Sequence, residues 1–381
     1  MRRTLIRRAE VRSLMRSSAV AAIVVTGVVS GLLTSPAGAA GSSGASFVSP
    51  STAVSEVGST LPTNMDVNPY GVAFIHQSTG REVAGDVLVS NFNDTSNAQG
   101  TGTTIVELNP NASPVAPGTA PVFATVEPAT TTCPGGVGLT TALSILPGGW
   151  VIVGSLPTST GAVSGPGCLI VLNNNGHVAE TFAGGNINGP WDMTAASLGP
   201  ISEIFFSNVL NGTLAGGDTV TNQGTVVRDT LISSPHSAPR IVSSTVIGSG
   251  FSEELNTTAL VIGPTGVALD NNGDLYVADT VNNKIDAIPN ALFRAKSAGT
   301  GLSVASGGDL NAPLGLTTTK NGDLLAANGG DGNLVALSPS GRQIGDKTIA
   351  PGGAGALFGL VVDSGRLFFV DDVENQLNLL S

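Results

Sequence analysis

The stretch GPTGVALDNNGDLYVADTVNNKI, from Gly263 to Ile285, decides how the rest of the chain is read. GVALD alternates apolar and small residues as a short strand does. NNGD supplies a turn in which Asn-Gly tolerates positive φ. LYVAD is a second strand, TVNN a second turn and KIDAI a third strand. Strand, tight turn, strand, turn, strand is an antiparallel meander, either one hairpin unit in an ordinary β domain or one copy of a repeat.

The unit recurs. APLGLTTTKNGDLLAANGGDGNLVALSPSGRQI runs from Ala312, with Gly315 matching Gly266 and Asn321-Gly322-Asp323 matching Asn272-Gly273-Asp274. ALFGLVVDSGRLFFVDDVENQLNLL repeats it from Ala356 with a shorter turn. NPYGVAFIHQSTGREVAGDVLVSN carries it from Asn68 and GPWDMTAASLGPISEIFFSN from Gly189. GLTTALSILPGGWVIVGS from Gly138 is the faintest copy. Gly266, Gly315 and Gly359 stand 49 and 44 residues apart, the period of a four-stranded propeller blade. Fourth strands follow at PVFATVE (from Pro121), HVAETFA (from His177), PRIVSSTVI (from Pro239) and RQIGDKTIA (from Arg342). The last copy ends at the C-terminus without one, and STAVSEV from Ser51 is a spare strand. The expected fold is therefore all-β: a six-bladed β-propeller of four-stranded antiparallel blades over residues 51–381. A strand from the N-terminus is expected to complete the last blade and remove its open edge. Composition agrees. Charged residues are 11% of the chain and 51 residues are glycine, which suits short strands and many turns rather than long surface helices.

GPTGVALDNNGDLYVADTVNNKI also resembles the NHL repeat, a family of six-bladed propellers, and the resemblance extends over Asn68–Val89 and Gly263–Ser381. Proteins of that kind include interaction scaffolds, a peptide-processing lyase and the lactone-hydrolysing gluconolactonase type, so the resemblance implies the fold and not an activity. For the lactonase type it implies a divalent cation held by carboxylate and Asn side chains where the first strands begin.

Those positions, just before the repeated glycine, carry Tyr70, Trp191, Thr265, Leu314 and Phe358, with Thr140 or Thr141 in the second blade. Asp192, beside Trp191, is the one carboxylate there. This is not an oxygen-donor set for a hard cation, so no metal or other cofactor is expected, Ca²⁺ being the one candidate. An aromatic and apolar mouth suits a ligand side chain or ring, or simply plugs the ring. A second repeated set, Asn91, Asn208, Asp279, Asn328 and Asp371, closes the second strands, where Asn and Asp either cap the following turn or form a polar rim to the mouth. His76, His177 and His236 fall in different blades, and no G-x-S-x-G elbow, P-loop or C-x-x-C-H motif is present.

Residues 1–40 read as an export signal. Six arginines precede an apolar run from Ala19 to Leu33, too short to span a bilayer, and SPAGAA offers small residues for cleavage near Ala39 and Ala40. RRTLI resembles a twin-arginine signal. Residues 41–50, GSSGASFVSP, are expected to be a flexible mature N-terminus. Removing those six arginines and Glu10 from 16 basic and 27 acidic residues leaves 16 negative charges in excess, which argues against nucleic acid as a partner. Cys133 and Cys168 are the only cysteines, and in an oxidising compartment they are expected to pair. The expected function is a secreted, monomeric binding module for a protein, peptide or glycan on one propeller face, with membrane contact only during export. The alternatives are a channel enzyme of the lactonase or lyase type, and a structural matrix protein.

Overall fold

All five residues of LYVAD are buried, as are all of LLAAN and of WVIVGS. A strand covered on both faces needs sheets packed against it on two sides, and that is the arrangement found. The computed structural model describes residues 43–159, 162–217, 219–256 and 259–381. Strand β1 (Val54–Ser59) precedes the first blade, which is β2 (Val67–Phe74), β3 (Val87–Asn93), β4 (Thr104–Leu108) and β5 (Val122–Thr125). The second is β6 (Leu139–Leu146), β7 (Trp150–Ser155), β10 (Cys168–Leu172) and β11 (Val178–Ala183), with a small ribbon of β8 (Thr158–Ser159) and β9 (Ala162–Val163) in the loop. The third is β12 (Pro190–Leu198), β13 (Ile201–Asn208), β14 (Thr221–Ser234) and β15 (Ser237–Asn256), extended by β16 (Leu260–Ile262). The fourth is β17 (Pro264–Leu269), β18 (Leu275–Asp279), β19 (Lys284–Ile288) and β20 (Leu302–Ser306). The fifth is β21 (Pro313–Thr318), β22 (Leu324–Asn328), β23 (Asn333–Leu337) and β24 (Gln343–Thr348). The sixth is β25 (Leu357–Asp363), β26 (Arg366–Asp371) and β27 (Gln376–Leu380), and its fourth place is taken by β1, paired antiparallel from Val54–Leu380 to Ser59–Gln376.

The first strands β2, β6, β12, β17, β21 and β25 pack side by side in that order, with β25 against β2, so the described residues form a closed six-bladed ring. Every first strand bulges near its start, for example between Pro69 and Val72, Pro190 and Met193, and Leu357 and Leu360. Glycine follows from this crowding. A Cβ on Gly359 would collide with the carbonyl oxygen of Tyr70, one on Gly315 with that of Phe358, and one on Gly266 with that of Leu314. Each repeated glycine is thus the point where one blade's backbone meets the next. Serines bind the same seam: Ser90 Oγ accepts from Gly71 N and donates to Thr140 O, and Ser207 Oγ accepts from Asp192 N and donates to Thr265 O.

Residues 43–50, within the segment expected to be a flexible N-terminus, pack against the ring. Gly44 to Phe47 form one helical turn, Gly44 N donates to Asp323 Oδ2, Lys347 Nζ reaches Ser49 O, and Phe47 is buried among residues of the fifth and sixth blades. The export signal expected in residues 1–40 lies outside the described residues. Among those described, no helix is long and apolar enough to cross a membrane. Cys133 and Cys168 are bonded, with Cα atoms 5.5 Å apart, tying the loop after the first blade to β10. Closing that loop contributes about 3–4 kcal/mol in the chain-entropy treatment.

Gly359→Ala is expected to lower stability by about 2–3 kcal/mol, because overpacking at the backbone seam has no flexible neighbour to yield. Urea unfolding of the two proteins checks it, and an unchanged midpoint would show that the ring is not that tight.

Candidate functional site

At the leading ends of the first strands the channel is filled. Tyr70 stacks on Phe358 at 4.1 Å and on Phe92 at 4.6 Å between ring centroids, and Trp191 lies 6.4 Å from Phe358. Trp191 Nε1 donates to Val261 O at 3.1 Å, so β16, with Leu260, Val261 and Ile262, folds over the plug. Thr265 Oγ1 lies 2.6 Å from Thr280 Oγ1, which also donates to Pro313 O. Tyr70, Trp191, Thr265, Leu314 and Phe358 are each at most 3% exposed. The mouth expected to present these residues to a ligand is occupied by their own packing. Gly71 meets Thr140 O as Gly315 meets Phe358 O, which settles the second blade: Thr140 holds the plug position and Thr141 the glycine position.

The second polar set is buried too. Asn208 Oδ1 accepts from Asn188 N while its Nδ2 donates to Asn186 O, and Asn328 holds Asn311 N and Asp309 O in the same way. Asn91 Nδ2 donates to Thr60 O. These side chains grip the loops that lead into the first strands. Asp279 accepts from Asn282 Nδ2 and faces Lys284 Nζ at 3.4 Å, and Asp371 accepts from Glu374 N. Asp372, which sequence patterning did not single out, has its carboxyl pushed up to about 8 by burial and then by the Asp371 charge. The plug offers aromatic rings, aliphatic groups and the hydroxyls of Tyr70, Thr265 and Thr280, which does not fit a hard divalent cation. Among the described residues, no three or more His, Cys, Asp or Glu side chains are grouped to hold a metal ion.

The other end of the channel is open. A cavity of about 280 Å³ is walled by all six first strands, through aliphatic residues such as Val72, Leu143, Val267 and Leu360. Asp192 faces this cavity and not the plug, because it takes the position that is glycine in four blades and its side chain turns away from that of Trp191. It is 8% exposed, and its Oδ2 accepts from Val267 N at 2.9 Å. Burial pushes its carboxyl up to about 7, against the smaller downward pull of the Val267 and Met193 backbone N–H groups. No basic side chain among the described residues pairs with it. Thr141, its counterpart in the second blade, also lines the cavity, with a buried hydroxyl that has no hydrogen-bond partner. At the rim, His76 Nδ1 lies 3.7 Å from Asp363, which Arg366 also contacts at 3.3 Å. Sequence reading named Asp192 but not its direction, and left the second blade open between Thr140 and Thr141. The signal was available in the glycine column, since a side chain replacing glycine at the seam must project into the channel.

The family model for the NHL repeat matches residues 262–285. No curated protein matches the sequence. Solved structures do match the fold. A gluconolactonase from Xanthomonas campestris superposes with TM-score 0.54 at 15% identity, covering 87% of this chain and 90% of that one. Regucalcin, a calcium-binding protein from Agrobacterium tumefaciens, gives 0.54 at 13% identity over 87% and 94%. Virginiamycin B lyase from Staphylococcus aureus gives 0.51 at 15% identity over 87% and 99%. Together with the ring described above, these define a six-bladed β-propeller carrying an NHL repeat.

Asp192 holds its proton more tightly folded than unfolded, so its contribution to stability is complete below about pH 4 and is lost as pH rises through about 7. Asp192→Asn removes that loss. The variant's advantage over the parent is expected to grow from near zero at pH 4 to on the order of 4 kcal/mol at pH 8.5. Denaturant midpoints at the two pH values measure it, and a difference independent of pH would contradict the assigned burial.

Proposed function

We propose that the protein is an exported binding module that takes a slender side chain or chain end of a peptide or protein partner into the open end of its central channel, acting as a monomer. The observation carrying this reading is the pair Asp192 and Thr141, two polar groups without side-chain partners at the floor of a cavity whose far end is closed by the plug. Such convergent polar groups in an apolar recess are the usual form of a ligand site. Of the channel's aromatic rings that could stack on a sugar, Phe74 alone lines the cavity and the others are packed in the plug, which favours a peptide over a glycan. The disulfide suits an oxidising compartment.

A second reading rests on the same carboxyl. A group poised near neutrality inside a closed-ended channel has what a general acid or base requires, and the structures sharing the fold include a gluconolactonase and a lyase. It would be an enzyme of the lactonase or lyase type working in the channel without the cation expected of the lactonase group.

Thr317 lines the open end of the cavity, so Thr317→Trp should obstruct it, whereas exposed Val373 belongs to the turn that follows β26 at the plug end. Peptides selected from a random library on the intact protein are expected to lose at least tenfold in affinity with Thr317→Trp and to be indifferent to Val373→Ser. Selected peptides that ignore the Thr317 change, or binding confined to a glycan array run in parallel, would overturn the proposal. Asp192-dependent turnover of a lactone panel would move the assignment to the second reading.

A further inference from the structure

Asp192 is the one carboxylate that lines the open cavity, whereas the carboxylates that pair with a base lie elsewhere. Lys284 Nζ stands 2.8 Å from Asp286 and 3.4 Å from Asp279, Arg228 3.4 Å from Glu203, and Arg366 3.3 Å from Asp363. Asp192 has two backbone donors and no cation, and it is the buried carboxylate that faces a cavity open to solvent. Of the residues lining that cavity, Asp192 and His76 alone can titrate, and His76 lies at the exposed rim. On the strands packed against β12, namely β6, β7, β13 and β17, the one titratable side chain is Glu203, which is held by Arg228 and Thr230.

We infer that the channel is a site for a primary alkylammonium group, in the simplest case the lysine side chain of a partner, with Asp192 as its counter-ion and Thr141 as a hydrogen-bond acceptor. This rests on the channel being the binding site. The aliphatic walls suit a four-carbon stem, which lysine buries while carrying its charge to a polar end. An ammonium has three donors, and the floor offers the Asp192 carboxylate and the partnerless Thr141 hydroxyl to receive them. Because Oδ2 is already engaged by Val267 N, the carboxylate suits a compact ammonium better than the two-pronged fork of a guanidinium. The chain's formal charge of −11 gives the surroundings the sign that draws a cation in.

The test is calorimetric titration of the intact protein at pH 8 with n-pentylamine and, separately, with 1-pentanol, which has the same stem and no charge. The amine is expected to bind at least tenfold more tightly than the alcohol. Asp192→Asn should abolish that preference, Thr141→Val should weaken amine binding alone, and Thr317→Trp should abolish binding of both. Amine affinity should fall as pH drops below about 7 in the parent and in His76→Gln alike, which separates Asp192 from the rim histidine. Equal binding of both probes, indifferent to Asp192→Asn but abolished by Thr317→Trp, would overturn the ammonium assignment and leave the channel site standing. Binding of neither probe, or binding untouched by Thr317→Trp, would overturn both.

Discussion

Six strands can converge on one axis only if their backbones touch where side chains would otherwise stand. The seam of glycines at 71, 266, 315 and 359 meets that requirement, each facing a carbonyl of the neighbouring blade. Most of the remaining architecture follows from it. The bulge beside each glycine turns the residue before it toward one end of the channel, and the strand that continues lines the other. Large residues gathered at the first end make a plug, and the small or aliphatic residues beyond leave a cavity. Serine and threonine hydroxyls then join adjacent blades at the same level, so the seam is closed by hydrogen bonds as well as by contact.

Asp192 and Thr141 stand where the seam is broken. Two neighbouring blades have a side chain where the others have none, and Asp192 reaches across to Val267 N of the fourth blade, replacing part of the contact a glycine would have made. A carboxyl in that position loses solvation, which is why it titrates near neutrality, and it gains a view of the cavity. Local stability is spent on a polar floor that packing alone does not require, and this makes the pair the functional candidate of the channel.

The repeat was legible because its cues are local: Asn-Gly turns, apolar alternation and the regular glycine. The third-blade hairpin of β14 and β15 was only partly legible, since its 14 and 20 residues exceed the length of any other strand and its end pairs with β16 across the plug. Strand β20, LSVAS, went unnoticed because three of its five residues are exposed and it buries almost no apolar surface. The site was legible as a position but not as a direction. Neighbouring residues on a bulged strand point to opposite ends, so Trp191 and Asp192, read together as one mouth, belong to the plug and the cavity respectively. The residues around Phe47 read as a flexible tail because Gly and Ser dominate them, yet a single buried phenylalanine anchors the segment.

The pairing of β1 with β27 joins residues more than 300 positions apart. Five blades can form as their sequences become available, but the sixth lacks its outer strand-partner arrangement until Leu380 is present. Pairing β1 with β27 therefore meets the loop-closure entropy of that whole separation. Truncation by even one C-terminal strand leaves two unpaired edges, β1 and β26, on an otherwise folded body, which is the exposure that favours edge-to-edge association between molecules.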